Sequence, residues 1–109
     1  MLNNSKTIDK LKRYARKSPL RHKHAAGIID TKGNLIAVAH NKRNHINNKS
    51  THAEIASIEN YIKVWAPQGR KIDYLIVIRI NPNGGLVNSK PCIACSATLT
   101  RLGINVIHS

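Results

Sequence analysis

Aromatic residues are scarce in this chain: one Trp, three Tyr and no Phe in 109 residues. There is no row of rings on which an RRM or cold-shock sheet would stack bases. Acid is scarce too, with five Asp and Glu against eighteen Lys and Arg, a formal net charge of +13. That imbalance points to a phosphate-bearing partner, or to non-specific affinity for one. Cysteine is limited to Cys92 and Cys95, too close together for a useful structural disulfide. A disulfide-stapled secreted domain is thereby excluded, and a reducing, cytoplasmic or otherwise intracellular compartment is expected. No run approaches the roughly eighteen uninterrupted apolar residues of a membrane helix, and residues 1–9 lack a signal-peptide core, so no membrane partner is expected.

What is present suffices for one core. Apolar residues make up 41% of the chain, and a second domain would leave neither half able to bury enough surface. The expected division is a basic N-terminal helix and connector over 1–23, then a core over 24–109. Ile8, Leu11, Tyr14 and Ala15 form one helical stripe with Lys10, Arg13 and Lys17 opposite. Ser18-Pro19 ends it. Two strands follow, over 24–30 and 34–40, around a turn at Thr31-Lys32-Gly33. The second does not alternate, which predicts cover on both faces. After a polar loop over 41–50, a helix is predicted from about Thr51 to Trp65 with Ile55, Ile58, Ile62 and Trp65 on one face. The strongest strand is 73–80, and Leu86-Val87-Asn88 reads as a short extension after a turn. Pro91 suits the first position of a third helix, mostly buried because Arg101 is its only charge. A last strand runs over 104–107. The order α-β-β-α-β-α-β predicts a three-layer α/β domain.

Two clusters carry chemistry: His52-Ala53-Glu54 and Pro91-Cys92-Ile93-Ala94-Cys95. Two thiolates three apart on a helix can grip one Zn²⁺, and a distant His supplies a third ligand, leaving the open position of a catalytic site. Water in that position becomes hydroxide near neutral pH, and Glu54, two residues from the ligand His, is placed to move protons. Both clusters open helices, whose N-termini favour thiolates and developing anions. The pattern H-x-E with P-C-x-x-C is that of zinc nucleobase deaminases. Other readings stand beside it. The two cysteines match a redox pair, and Thr51-His52-Ala53-Glu54 matches a capping box. A structural zinc site would need a fourth ligand from His40, His45 or His108.

With these motifs the chain resembles the cytidine deaminase-like superfamily over nearly its whole length. Gly27-Ile28-Ile29-Asp30, Gly33-Asn34-Leu35-Ile36-Ala37 and His40-Asn41 look like the strand pair that precedes the His-Ala-Glu motif there. The resemblance implies a three-layer α-β-α fold on a four-stranded mixed sheet, with 24–109 as the catalytic core of a minimal-length member. It implies one catalytic Zn²⁺ on His52, Cys92 and Cys95, with Glu54 as proton shuttle. Asn41 would hydrogen-bond the nucleoside, the backbone at Ala53 would orient the base, and Pro91 would border the substrate. Lys90, Ala56 and Ile93 each depart from a subgroup: the tRNA adenosine, deoxycytidylate and free-cytidine deaminases respectively.

The reaction class is hydrolytic loss of ammonia from cytosine or adenine, with cytosine favoured. The charge favours single-stranded nucleic acid as substrate, DNA before RNA, with backbone contacts from Arg21, Lys23, Lys42, Arg43, His45 and Lys49. The alternative is a deaminase of free (deoxy)cytidine or its monophosphate, or of adenosine in RNA. A non-enzymatic basic zinc module that binds nucleic acid is the third reading. Relatives commonly associate, so a homo-oligomer is also expected.

Overall fold

The computed structural model describes residues 5–43, 50–89 and 93–109, without the side chains of residues 5, 43, 50, 51 and 93–95. In chain order the elements are α1 (Ser5–Arg16), β1 (Lys23–Asp30), β2 (Leu35–His40), β3 (Lys42–Arg43), β4 (Ser50–Thr51), α2 (Ala53–Asn60), β5 (Ile72–Ile80), β6 (Leu86–Val87), α3 (Ile93–Arg101) and β7 (Asn105–His108). The expected three-layer α/β order is present, and the four expected strands are β1, β2, β5 and β7. The two-residue β6 makes the sheet five-stranded, and β3 pairs with β4 in a separate ribbon.

The sheet is organised around β1 and β5, which pair antiparallel from Lys23↔Ile80 to Asp30↔Ile72. β2 flanks β1 antiparallel, and β7 runs parallel to β5 from Tyr74↔Asn105 to Val77↔His108. Alternation sorts the side chains into two cores. Ala25, Ile29, Ile76, Ile78 and Ile80 face α1 and meet Ile8, Leu11 and Ala15. Ala26, Ile28, Leu75 and Val77 face the other way, against Ala53 and Ile58 of α2 and Leu99 of α3. The periodic stripe read in α1 is thus its buried face, and its cations lie outside. Gly27 shares the α1 side; a Cβ there would stand 2.5 Å from Leu35 Cδ1 and 3.1 Å from Leu11 Cδ2. A side chain at this point would require the Leu35 and Leu11 methyl groups to move aside.

Three expectations change. The helix predicted over 51–65 is α-helical only to Asn60, then widens into a π turn, Tyr61–Trp65, and a 3₁₀ turn, Ala66–Gln68. The wider turn shifts the phase of the apolar face. Ile58 is buried and Trp65 half-buried, but Ile62 is 58% exposed. The capping box is not adopted either: His52, not Thr51, is the N-cap, and its side chain makes no capping bond. Finally, α3 buries Leu99 but exposes Ala97, Thr100 and Arg101. A helix resting on a sheet covers one face only, and the outer one here carries small or charged residues. β2 is a half-buried edge strand touched on both faces, by α1 through Leu35 and Val38 and on the opposite side by Ile36.

The β1–β2 turn is held by Asp30. Its Oδ1 accepts from Lys32 N–H (3.0 Å) and Asn34 N–H (2.8 Å), and its Oδ2 pairs with Arg70 Nη1 at 2.9 Å. Arg70 also lies 5.9 Å from the Trp65 ring, and its carbonyl accepts from the Tyr61 hydroxyl. The hairpin is therefore tied to the turns that end α2. The Asn34 N–H, foremost, with Arg70 and Lys32, holds the Asp30 carboxyl below its usual 3.8, against the opposing effect of burial.

Two outcomes are expected. Leu11→Ala, at a fully buried site, lowers stability by about 2–5 kcal/mol in urea unfolding, whereas exposed Lys10→Ala stays within about 0.5 kcal/mol. A group with a depressed native pKa stabilises above its unfolded value and loses that contribution as pH falls through the native one. The urea-midpoint difference between the wild type and Asp30→Asn should therefore shrink from about pH 5 to about pH 2.

Candidate active site

The face of the sheet that carries α2 and α3 is apolar through Ala26 and Val77, then changes character by one step in each strand. His24 follows Ala26 and Arg79 follows Val77 on the same face, and the two are register partners across β1 and β5. His52 stands nearby at the N-cap of α2, in extended backbone (φ −71°, ψ 147°). Its carbonyl accepts the first helical bond, from Ala56 N–H at 3.0 Å. Together with Leu20, Arg21, His22 and Asn41, these residues line a cleft of about 480 Å³.

Asn41 builds one wall. It is buried, and its amide oxygen accepts from His24 N–H at 3.0 Å while its amide nitrogen donates to the His22 carbonyl at 2.6 Å. Its own N–H donates to the His24 carbonyl at 3.2 Å. One side chain thus pins the entry of β1 against the end of β2. Ala53 and Glu54 open α2 and are buried, Glu54 at 3% exposure. An acid in the first turn is favoured by the helix dipole. Ser57 Oγ donates to the Glu54 carbonyl at 2.8 Å, tightening this turn.

The chain leading toward the second cluster is anchored on β5. Ser89 is buried; its hydroxyl donates to the Val77 carbonyl at 2.9 Å, and its N–H donates to the Ser109 carbonyl at 2.9 Å. The last described residue before the Pro-Cys motif is therefore fixed beside the strand that carries Arg79. Cys95 belongs to the first turn of α3, which packs on the same sheet face as α2. Pro91, Cys92, His45 and Lys49 lie outside the described residues, as do the side chains of Cys95 and Arg43. Among the described residues no three His, Cys, Asp or Glu side chains are grouped to hold a metal, because two of the three expected donors fall outside them. The donor set itself, one imidazole and two thiolates, suits Zn²⁺. The helices that follow the two clusters, α2 and α3, pack on one face of the sheet through Ala53, Ile58 and Leu99.

The other sequence candidates separate. Arg21 lines the cleft, whereas Lys42 is exposed on the β3–β4 ribbon and is not among the lining residues. The Lys23 ammonium donates to the Ser18 carbonyl. His40 and His108 each place Nδ1 2.9 Å from a neighbouring carbonyl, of Asn41 and Ser109 respectively, and neither lines the cleft. Sequence reasoning missed His24, His22 and Arg79. The available signal was Arg79 itself, the one cation in a strand otherwise reading as core. Burial, then Arg79, His52 and His22, lower the His24 pKa from the usual 6.5, so the neutral imidazole is favoured.

The sequence model described as "Cytidine and deoxycytidylate deaminase zinc-binding region" matches residues 2–108. A search of curated proteins finds no significant match. Among solved structures, cytidine deaminase from Burkholderia pseudomallei superposes with a TM-score of 0.69 at 18% identity, over 96% of this chain and 83% of that one. Cytidine deaminase from Mycobacterium tuberculosis gives 0.63 at 14% identity, over 98% and 85%. That of Mycobacterium leprae gives 0.60 at 17%, over 91% and 81%. At such identities the superpositions establish the shared fold.

An NMR pH titration of the imidazole signals should place the His24 midpoint below 6.5. Arg79→Gln should raise it, by removing a positive charge that opposes protonation.

Proposed function

Because the chain belongs to the cytidine and deoxycytidylate deaminase family, hydrolases with one catalytic Zn²⁺, we propose that it converts cytosine to uracil in a free nucleoside or its monophosphate. The observation that carries this reading is the cleft that brings His52 and Asn41 together at the end of the sheet, with Glu54 buried in the first turn of α2.

His52, Cys92 and Cys95 are the proposed zinc ligands. The metal supplies a Lewis acid that lowers the pKa of water to about 7. In the hydrolysis, oxygen from water bonds to C4 of the base and the C4–N bond breaks, releasing ammonia. The Glu54 carboxylate accepts the proton of the attacking water, delivers it to the ring nitrogen, and then serves the departing amine. Its burial at the helix N-terminus keeps competing water away from that transfer. Asn41 holds the wall of the cleft in shape through its bonds to His22 and His24, and the α2 N-terminus at Ala53 offers backbone N–H groups to the base.

Polymeric substrate is less well supported by this fold. The basic helix α1 packs on the sheet face opposite to α2 and α3, so the largest cationic segment lies across the sheet from the cleft.

Zinc-loaded protein incubated with deoxycytidine, dCMP, cytidine, adenosine and a cytosine-containing single-stranded oligonucleotide should deaminate the free cytosine compounds. Mass spectrometry reads the exchange of NH₂ for OH. Glu54→Gln should lower the rate by about 10²–10⁴-fold while keeping the metal, and Cys95→Ser should lose zinc by elemental analysis. Conversion of the oligonucleotide or adenosine alone would overturn the reading.

A further inference from the structure

The cleft beside His52 has an unusual electrical composition. Its described lining contains two guanidinium groups, Arg21 and Arg79, and three imidazoles, His22, His24 and His52, with no carboxylate. Among the described residues the ion pair is elsewhere, between Arg70 and Asp30. Arg79 is half-buried on the face whose preceding members, Leu75 and Val77, form the core, and its partner across the strands is another base, His24. A half-buried cation in this position costs folding free energy through desolvation, unless an anion completes it. Asn41 adds rigidity by fixing the backbone at His22 and His24, so the wall is formed in advance.

We propose that this cleft binds the phosphate monoester of a nucleotide substrate, with Arg79 as its anchoring cation and Arg21 at the rim. The inference rests on the deaminase reading above and deepens it: the substrate is the cytosine mononucleotide, not the nucleoside. A phosphate monoester carries close to two negative charges at neutral pH, and a guanidinium can meet two of its oxygens at once. The volume, about 480 Å³, lies in the range of small-molecule sites. A neutral ribose would leave Arg79 desolvated without a counter-charge. A strand would draw on the exposed cations of α1, but these lie beyond the opposite face of the sheet. Arg79 and Arg21 are specificity residues in this account, reading the substrate at a distance from the reacting carbon.

The test compares kcat/KM for dCMP, deoxycytidine and a single-stranded oligonucleotide under one buffer, using zinc-loaded wild type and the variants Arg79→Gln, Arg79→Lys, Arg21→Gln and Arg101→Gln. Wild type should prefer dCMP over deoxycytidine by 10²-fold or more. Arg79→Gln should reduce that preference at least tenfold, chiefly through KM, Arg79→Lys should restore part of it, and Arg101→Gln should leave it unchanged. Arg21→Gln, at an exposed site, gives a smaller loss and serves if Arg79→Gln fails to fold. In a separate binding measurement dUMP should raise the Tm of wild type more than deoxyuridine does, and Arg79→Gln should remove the difference. Equal kcat/KM for nucleoside and nucleotide, a preference for the oligonucleotide, or an unchanged preference in Arg79→Gln would overturn the inference and leave the deaminase reading intact. Absence of turnover on every substrate would instead overturn the deaminase reading, and the dUMP comparison would still decide the phosphate site.

Discussion

Everything in this fold hangs on the antiparallel pairing of β1 with β5, two strands that must be covered on both faces at once. The requirement is met by contrast in size. β5 supplies the bulk, with Leu75, Ile76, Val77 and Ile78 all buried, while β1 contributes Ala25, Ala26 and Gly27. Small residues in β1 let helices close in from either side; at Gly27 even a methyl group would strike Leu35 and press on Leu11. The two cores are then separate packing problems joined by one shared backbone, and neither helix layer can shift without disturbing that pair.

The candidate site follows from where this pairing stops being apolar. Beyond Ala26 and Val77 the same face presents His24 and Arg79, and α2 begins there with His52, Ala53 and Glu54. The elements that carry these candidate residues are direct continuations of the core. Asn41 extends the principle to a loop: it has no regular strand partner, yet a buried amide with its oxygen and a nitrogen both engaged holds the backbone about as firmly as a ladder does.

Much of this was legible in the residues. The 3.6-residue stripe of α1 and the apolar run of β5 depend on local pattern, and the structure buries the positions that pattern selects. His52, Glu54, Cys92 and Cys95 stand out in the sequence for another reason: zinc chemistry restricts residue type and spacing tightly, and the family match spans all four, which remain the proposed ligands and proton carrier. What escaped depends on phase or on distant partners. Nothing in Tyr61-Ile62-Lys63-Val64-Trp65 announces a π turn, and an unbroken α-helical phase therefore puts Ile62 on the buried face where the structure exposes it. Arg79 escaped because its meaning lies in being opposite His24, which only the register reveals. The shift of the α2 N-cap from Thr51 to His52 is a one-residue matter of the same kind.

The His24–Arg79 rung has a further consequence in the language of energy landscapes. Most of the sheet is minimally frustrated: each neighbour on a face agrees with the next. This rung is the exception, two bases set side by side at the rim of the core. Selection for stability alone would replace Arg79 with a branched aliphatic residue that continues the row of Leu75 and Val77. The persistence of conflict at one rung marks a trade of rigidity against purpose, and random mutagenesis screened only for thermal resistance should find its gains at this rung.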